Sequence, residues 1–352
     1  DEQRQMCTTC RRCYPKTARR CGYDGGRLKP LSTPYRFHDR YTLSRFLGQG
    51  GMGRVYEARD ERLDREVAIK IIRGEHLRDE TVQMRLVQEA KTVARISHPG
   101  VIALHDFGEL GDGSTYLVME KLKGSDLADL LATYGPARPD QVAWVLRQGA
   151  AALTAAHRAA VIHRDIKPEN IFIIPGDAGF AIKILDFGLA KSTDLDNLTL
   201  TQTGMVMGTP MYMSPEQLMG WELAPSSDMY SFACVCYELL TGHRVVEVEG
   251  YTRICAAVLY QQPKPPSHWL PGLPEAIDRA FLAALQKDLS ARPGDLEKWV
   301  EGLASALEAV PSVYDGWPDD PRELSAPLPA LPESALINVP TDTDTYELHP
   351  KS

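Results

Sequence analysis

The spacing of apolar residues changes from strand-like to helical near residue 120. Upstream, three strand-like segments at 41–47, 55–59 and 67–72 are separated by turns, and one helical segment at 81–97 follows them. Downstream, the spacing predicts helices at 127–131, 141–158, 226–241, 252–260, 275–286 and 295–307. This order predicts an α+β fold of two lobes, a small β-rich N-lobe with one main helix at about 41–119 and a larger helical C-lobe at about 123–308.

The two ends of the chain differ in composition from this central part at 41–308. Residues 1–30 hold four of the seven cysteines and carry a net charge of +5, whereas residues 309–352 hold eight prolines and carry a net charge of −6. We predict a Cys-rich module at 1–30 and a Pro-rich acidic tail or linker, extended or disordered, at 309–352. The opposite charges predict either a contact between the two ends or two independently solvated segments.

Composition and charge narrow the class of protein. With 352 residues, of which 43% are hydrophobic, the chain can fill the cores of two lobes. The net charge of −8 argues against nucleic acid as a partner. The sequence has no run of roughly 18 uncharged apolar residues and no signal-peptide pattern at its start. We therefore expect no membrane span in this chain and a cytoplasmic location.

Four glycines lie in the turn between the first two strands. Gly48, Gly50, Gly51 and Gly53 allow backbone N–H groups to approach a polyphosphate without obstruction by Cβ atoms. A strand follows this turn, whereas a helix follows the dinucleotide-binding fingerprint. Because tight hairpins use glycine for structural reasons as well, the motif needs support from the residues downstream.

The helix predicted in the N-lobe carries an acid on its apolar face. Glu89 lies within an apolar stripe formed by Val82, Leu86, Val93 and Ile96. A buried carboxylate requires a cation, and Lys70, at the end of the third strand, is the best candidate. Glu80 is the rival partner of Lys70, but it lies at the helix N-terminus, where an acid favours the helix dipole. We predict an ion pair between Lys70 and Glu89.

The most informative motif is residues 163–170, His-Arg-Asp-Ile-Lys-Pro-Glu-Asn, followed at 186 by Asp-Phe-Gly. An apolar hairpin, 171–174 against 182–185, would hold these segments together. Phosphoryl transfer needs a carboxylate that orients a hydroxyl, oxygen ligands for Mg²⁺ and cations on the moving phosphate. Asp165, Asn170, Asp186 and Lys167 supply these groups.

In combination these motifs resemble the eukaryotic-like serine/threonine protein kinases of bacteria, over about residues 41–307. The resemblance implies the two-lobe protein kinase fold, with ATP and Mg²⁺ or Mn²⁺ in the cleft. It implies that Asp165 is the catalytic base and that Lys167 steadies the γ-phosphate. It also implies catalytic roles for Lys70 and Glu89 and a Mg²⁺ site at Asn170 and Asp186.

The resemblance also implies the walls of the nucleotide pocket. The hinge would be 120–122, with Met119 as gatekeeper, and Lys121 is an unusual residue for this place. Val55 and Ala68 would lie above the adenine and Phe172 below it. The implied nucleotide-binding set is Leu47, Gly48, Gly50, Gly51, Gly53, Val55, Ala68, Lys70, Glu120, Leu122, Asn170, Phe172 and Asp186.

Three features of the C-lobe sequence indicate the class of kinase and two contacts within the lobe. Lys167 and the segment 208–216 resemble the serine/threonine rather than the tyrosine class, with Thr209 near the acceptor hydroxyl. Glu216 is expected to be buried against Arg292, because a lone buried acid would be costly. Asp228 would either cap its own helix or accept bonds from the catalytic-loop backbone, and the family favours the latter.

Residues 192–207 contain four threonines with little apolar periodicity. Thr201 and Thr203 resemble the autophosphorylated Thr-x-Thr of bacterial relatives, and we predict that one or both are phosphorylated. Arg164 and Lys191 would bind the phosphate and order the loop. Autophosphorylation in trans would require two copies of the chain to associate.

The N-terminal cysteines form a second chemical signal. Cys7 and Cys10 form one knuckle-like pair, and Cys21 and Asp24 form the other, with Cys13 as the competitor for the fourth ligand position. Tetrahedral zinc accepts thiolate and carboxylate ligands. The alternatives are free or redox-active thiols and an iron–sulfur cluster. The remaining cysteines, Cys234, Cys236 and Cys255, are expected in the core.

The sequence thus predicts an ATP-dependent protein kinase that phosphorylates serine or threonine on itself and on other proteins. The alternative is a non-catalytic scaffold or pseudokinase that acts through the Cys-rich module and the tail. A narrower rival is a small-molecule kinase of similar fold, which the peptide-shelf-like segment 208–216 disfavours.

Overall fold

The computed structural model describes residues 4–31, 33–50, 53–72, 80–176, 179–187, 210–312 and 315–320. Over these residues the chain forms a short N-terminal sheet, a mixed N-lobe and a helical C-lobe. No helix in this part of the chain is long and apolar enough to cross a membrane.

The N-terminal module is a three-stranded antiparallel sheet in the order β2-β1-β3. Its strands are β1 (Arg4–Cys7), β2 (Cys13–Pro15) and β3 (Leu28–Leu31). Short strands of this kind bury little apolar surface, and the small cluster that Cys7, Cys21 and Leu28 form is correspondingly sparse. The sequence analysis predicted a module here but did not predict its strands.

The N-lobe is a six-stranded antiparallel sheet in the order β4-β5-β6-β7-β9-β8. Alternating apolar residues bury one face, with Tyr41, Tyr56, Val67, Ile69 and Val118 at its centre. The strands are β4 (Arg36–Phe37), β5 (Tyr41–Gly50), β6 (Gly53–Asp60), β7 (Arg65–Ile72), β8 (Leu104–Glu109) and β9 (Thr115–Glu120). The antiparallel register places Lys70 of β7 opposite Val55 of β6 and Leu117 of β9, which brings it into the cleft.

One helix, α1 (Glu80–Val93), packs on this sheet. Its buried residues Leu86 and Ala90 contact Ile72 and Leu117. The predicted helix extended to residue 97, but the observed one ends at Val93. After Val93 the backbone turns through i→i−3 bonds, from the Arg95 N–H to the Thr92 carbonyl and from the Ile96 N–H to the Val93 carbonyl.

The C-lobe is helical around one core. Helix α5 (Pro225–Thr241) is buried along nearly its whole length and packs against α3 (Pro139–Arg158) and α7 (Glu275–Ala284). Gly149 of α3 permits this close approach, since a Cβ there would lie 2.4 Å from the ring of Phe232. The other helices are α2 (Leu127–Tyr134), α4 (Pro215–Met219), α6 (Tyr251–Tyr260) and α8 (Leu296–Glu308).

A small sheet lies on the cleft side of the C-lobe and positions the catalytic segments. It comprises β10 (Ser125–Asp126), β11 (Ile171–Gly176) and β12 (Gly179–Ile184), in the order β10-β11-β12. The hairpin pairs Ile171 with Ile184, so residues 163–170 before β11 and Asp186 after β12 emerge at the same end. The hairpin expected from the sequence is therefore present.

Part of the predicted tail belongs to the C-lobe. Trp317 is buried in the main core, and its indole N–H donates to the Gly135 carbonyl at 3.2 Å. Arg138 bonds Asp319 at 2.7 Å. Residues 315–320 of the predicted tail, which form neither helix nor strand, therefore pack against the C-lobe, because one buried aromatic residue stabilises their docking. Residues 321–352 lie outside the described part of the chain.

Candidate active site and cysteine cluster

One buried carboxylate binds the backbone of the predicted catalytic loop at 163–170. Asp228, in the first turn of α5, accepts the backbone N–H of His163 at 2.8 Å and that of Arg164 at 3.0 Å. His157 bonds the same carboxylate at 2.8 Å. Of the two roles considered for Asp228, the structure shows the bonds to the loop backbone. These bonds stabilise the left-handed conformation of Arg164, whose φ is +67°.

His163 links the loop to the segment that carries Asp186. Its imidazole is buried and lies 2.6 Å from the Leu185 carbonyl through Nε2, while Nδ1 accepts the N–H of Asp165 at 3.2 Å. Only the neutral Nε2–H tautomer satisfies both bonds. Burial lowers the pKa of His163 and so favours this uncharged form.

Asp165 lies in the cleft with a donor and a cation against it. The Asn170 amide donates to the Asp165 backbone carbonyl at 2.8 Å and to its Oδ2 at 3.0 Å. Lys167 Nζ lies 3.1 Å from the same Oδ2. The Asn170 carbonyl accepts the Leu185 N–H where the β11–β12 hairpin begins. Because Asn170 also bonds Asp165, the Asp165 carboxylate has a fixed position relative to Asp186.

The predicted pair of Lys70 with Glu89 is not the one that forms. Lys70 Nζ lies 2.8 Å from Asp186 Oδ2, and Glu89 Oε1 lies 3.5 Å from Arg164 Nη1. Sequence periodicity predicted a buried Glu89, whereas its side chain is 30% exposed, and periodicity could not select between two carboxylates for one ammonium. Distance decides which carboxylate Lys70 binds. Asp186, two residues after β12, lies within reach of Lys70, whereas Glu89 faces Arg164 across the cleft.

Sequence comparison agrees with this geometry. Residues 41–300 match the protein kinase domain family. The chain belongs to that family. It is 37% identical over 309 residues to serine/threonine-protein kinase pkn3 of Myxococcus xanthus, covering 86% of this chain and 56% of that protein. It is 38% identical over 261 residues to PknB of Mycobacterium leprae, covering 73% of this chain and 41% of that protein. The chain thus spans about half the length of these curated relatives.

Solved structures agree on the fold. The kinase domain of PknI from Mycobacterium tuberculosis superposes with a TM-score of 0.60 at 25% sequence identity, covering 76% of this chain and 95% of that one. Another structure of the same domain gives a TM-score of 0.63 at 23% identity. The predicted two-lobe kinase fold is confirmed.

Several of the residues predicted to bind nucleotide lie on the N-lobe sheet and on β11. Val55 on β6 and Ala68 on β7 belong to neighbouring strands, Phe172 lies on β11 opposite Asp126, and Leu47 is partly exposed at the edge. Gly48 pairs with Val55 and Gly50 with Gly53 at the end of the hairpin. Gly51 lies outside the described residues.

Glu120 and Lys121 of the predicted hinge form three ion pairs that sequence reasoning missed. Glu120 Oε1 accepts Lys183 Nζ at 2.5 Å and the Ala103 N–H at 2.8 Å. Lys121 lies 2.9 Å from Glu57 and 3.0 Å from Glu66. Burial lowers the pKa of Lys121, but these two carboxylates outweigh burial and raise it. Lys121 thus binds acids of the inner strands β6 and β7, which accounts for a charged residue at this place.

Asp126 is a further cleft residue that the sequence analysis did not select. Its Oδ1 accepts the Asp129 N–H at 2.8 Å and so caps α2. Burial raises the pKa of Asp126 to about 6. An acid directly after the pair Gly124-Ser125 was a recognisable cap signal, but its burial depends on the packing of β10 against β11.

Glu216 and Arg292 form the buried pair that the sequence predicted. Arg292 donates to both carboxylate oxygens at 2.7 and 2.8 Å, and both side chains are nearly inaccessible. Arg292 also donates to the backbone carbonyls of Ser226 and Gln286. The pair therefore joins α4, the start of α5 and the loop before α8. Thr201, Thr203, Thr209 and Lys191 lie outside the described residues.

The N-terminal module brings the four predicted metal ligands together. Cys10 Sγ lies 3.5 Å from Cys21 Sγ, Cys7 Sγ lies 3.3 Å from Asp24 Oδ1, and all four ligand atoms lie within 4.8 Å of one another. Tetrahedral zinc thiolates have ligand atoms about 3.8 Å apart. A Cβ at Gly26 would lie 2.9 Å from both Cys7 Sγ and Asp24 Oδ1, so glycine leaves space for this group. The donor set therefore fits zinc.

Cys13, the competing ligand, lies elsewhere. It is buried in the N-lobe core with Phe37, Tyr41 and Leu43. Cys234 and Cys236 are buried in α5, as expected, and Cys255 on α6 is half-buried. None of the seven cysteines, all of which lie in the described part of the chain, forms a disulfide.

Proposed function

We propose that this chain is an ATP- and Mg²⁺-dependent protein kinase that transfers the γ-phosphate to serine or threonine hydroxyls of itself and other proteins. The observation that carries the proposal is the Asp165 carboxylate, held by Asn170 and Lys167 beside Asp186 and Lys70. The two bacterial relatives, both named serine/threonine-protein kinases, support the same activity.

Each of these side chains has a part in the proposed reaction. Asp165 orients the acceptor hydroxyl and takes its proton, while Lys167 neutralises charge on the moving phosphate. Asn170 and Asp186 would hold Mg²⁺ through their side-chain oxygens. Bound Mg²⁺ supplies positive charge on the phosphate oxygens. Lys70, on a rigid central strand, binds the α- and β-phosphates, while the hinge backbone of Glu120 and Leu122 binds the adenine.

We further propose that phosphorylation of Thr201 or Thr203 activates the enzyme. Arg164 directly precedes Asp165, and its guanidinium now binds Glu89. A phosphate on the loop would compete with Glu89 for Arg164, because phosphate forms stronger charge-assisted bonds to guanidinium than a single carboxylate. Lys191 would assist, and Glu89 acts on catalysis through Arg164 as a positioning residue.

The Cys-rich module is proposed to bind one Zn²⁺ through Cys7, Cys10, Cys21 and Asp24. Iron–sulfur clusters are held by thiolates, so a carboxylate at the fourth position favours zinc over that alternative. The net charge of +5 in residues 1–30 offsets the negative charge of three thiolates and one carboxylate around the metal. Protein substrates, the absence of nucleic acid partners and the cytoplasmic location remain predictions.

The decisive experiment is phosphate incorporation from radiolabelled ATP by the wild type and by Asp165→Asn. We expect phosphoserine or phosphothreonine with the wild type and a loss of at least about 100-fold in the variant. Asp64→Asn, at an exposed acid in the turn between β6 and β7, is the matched control and should retain activity. Equal incorporation by the wild type and Asp165→Asn would contradict the enzymatic proposal and favour the scaffold.

Mixing the two proteins tests autophosphorylation in trans. Size-tagged Asp165→Asn should acquire phosphate on Thr201 or Thr203 when active wild type is added. The rate per kinase molecule should rise with concentration, because two copies must meet. Phosphate found only at other residues would contradict the activation-loop assignment, and label on a small-molecule acceptor alone would favour the small-molecule kinase.

A further inference from the structure

The residue that follows a proposed metal ligand is bonded to the strand that carries the glycine-rich turn. Arg11 comes directly after Cys10, and its carbonyl accepts the backbone N–H of Phe46 on β5 at 2.9 Å. Arg12 forms an isolated antiparallel bridge with Arg45. One peptide unit therefore separates the cysteine cluster from the N-lobe sheet.

The segment 10–13 is held at both of its ends. At one end Cys10 belongs to the cysteine cluster, and at the other Cys13 is buried in the N-lobe core. Between them, the Arg12 guanidinium lies 4.1 Å from the centre of the Tyr23 ring, and Tyr23 lies between Cys21 and Asp24 in sequence. The knuckle of Cys7 and Cys10 is therefore adjacent to Arg11, and the knuckle of Cys21 and Asp24 contacts Arg12 through Tyr23. Arg11 and Arg12 are the two residues that bind β5.

The bonded part of β5 is irregular. The pairing of β5 with β6 shifts register between Leu43 and Arg45 and again between Phe46 and Gly48. Such bulges interrupt the ladder and bend the strand, so external partners determine its local path. The module supplies those partners at Arg45 and Phe46, and Gly48 of the glycine-rich turn lies only two residues further on.

We propose that metal occupancy of the cluster of Cys7, Cys10, Cys21 and Asp24 sets the nucleotide affinity of the kinase domain through the contact of Arg11 with Phe46. The inference rests on the zinc site and the ATP site proposed above. Zinc joins the turn after β1 to the turn at 21–24 and so fixes Arg11. Without zinc, no metal joins the turn after β1 to the turn at 21–24, and the turn at 8–12 loosens. Phe46 then loses its partner, and ordering the glycine-rich turn around a polyphosphate costs more entropy.

Linkage adds a quantitative requirement. If zinc raises the affinity for nucleotide by some factor, nucleotide must raise the affinity for zinc by the same factor. A merely structural zinc site that stabilises the module alone would show no such reciprocity. Coupling between two sites in one protein is typically about 5- to 150-fold.

The test uses the full chain in zinc-loaded, chelator-stripped and reloaded forms. Calorimetric titration with a non-hydrolysable ATP analogue and Mg²⁺ should give a Kd at least about 5-fold weaker after stripping, with recovery on reloading. Amide exchange of Phe46 should accelerate by a similar or larger factor. The amides of Ile69 and Val118, at the centre of the sheet, are internal controls and should not change.

Variants separate this effect from general damage. Cys10→Ser should lower bound zinc from about one equivalent to near zero and reproduce the stripped form. Cys255→Ser, at the half-buried thiol of α6, is the matched control and should keep both zinc and affinity. Stripping of the wild type provides the same comparison without a substitution.

The outcomes distinguish the inference from the proposals beneath it. Zinc bound at one equivalent, with nucleotide Kd and Phe46 exchange both unchanged on stripping, would overturn the coupling and leave the zinc site standing. Absence of stoichiometric zinc would overturn both. Reciprocal affinity changes in a protein that transfers no phosphate would support the coupling and count only against the kinase activity.

Discussion

The pair of Glu216 and Arg292 permits a sharp prediction about stability. Arg292→Met leaves a buried carboxylate without its guanidinium and removes the donor to the Ser226 and Gln286 carbonyls. Breaking a buried pair on one side costs about 3–5 kcal/mol, a large part of the total stability of an ordinary domain. We expect a loss of about 4 kcal/mol at pH 8. The loss should exceed that of Arg279→Met, at an exposed pair worth at most about 0.5 kcal/mol.

The pH dependence of this loss has a definite sign. In the wild type, burial works to raise the pKa of Glu216, but the bonds from Arg292 outweigh burial and lower it. This carboxylate therefore stabilises the fold above its unfolded pKa, and the contribution is lost as pH falls through the lower folded value. In Arg292→Met burial acts alone, so the folded pKa rises and the sign reverses. The variant should lose more stability at pH 8 than at pH 5, by about 1.4 kcal/mol for each unit of pKa difference within that range.

Urea unfolding followed by tryptophan fluorescence measures these quantities. A double-mutant cycle with Glu216→Leu should give a coupling of about 2 kcal/mol or more, because removing both partners leaves no unpaired charge. A loss below about 1 kcal/mol at pH 8, or a loss that does not vary with pH, would refute the assignment of a desolvated pair.

Three further changes have expected outcomes. The raised pKa of Asp126 makes the folded protein less stable as pH rises from about 4 to 6, and Asp126→Asn should remove this decline. The variant should therefore be about 1–2 kcal/mol more stable than the wild type at pH 7.5, after allowance for partial exposure. An unchanged urea midpoint would contradict this. His163→Gln should flatten the fall in stability below about pH 6.5, since the wild type buries a neutral imidazole that the unfolded chain protonates; an unaltered acid slope would contradict it. Trp317→Ala should cost about 3 kcal/mol and speed proteolysis near residues 315–320, whereas exposed Trp221→Ala should change neither.

Much of the fold could be predicted because it depends on local pattern. Period-two spacing located the central strands, and 3.6-residue spacing located six of the C-lobe helices to within two or three residues. Elements without periodicity escaped prediction. The five-residue helix α4 and the two-residue strand β4 are too short to show a repeat, and β1 to β3 gain their stability from neighbours.

The active site was predicted as a set of residues but not as a set of contacts. The motif at 163–170 and Asp186 identify their residues by type and spacing, and the hairpin that joins them is a short-range structure. Lys70, in contrast, had two carboxylates within reach of its flexible side chain. Coulomb attraction in a partly dry cleft depends on separations of a few ångströms, and sequence spacing does not contain those distances.

The sequence by itself determined the protein kinase family and the presence of a cysteine cluster, and it predicted the catalytic groups, because contiguous or regularly spaced residues carry each of these signals. Only the tertiary structure decided that Arg164 binds Glu89, that Cys13 packs in the core while Asp24 joins the cysteines, and that Arg11 is bonded to Phe46. The reason is physical. Every residue has the same backbone carbonyl, and a long side chain has many possible partners. The residue types at these positions therefore do not indicate which contact forms.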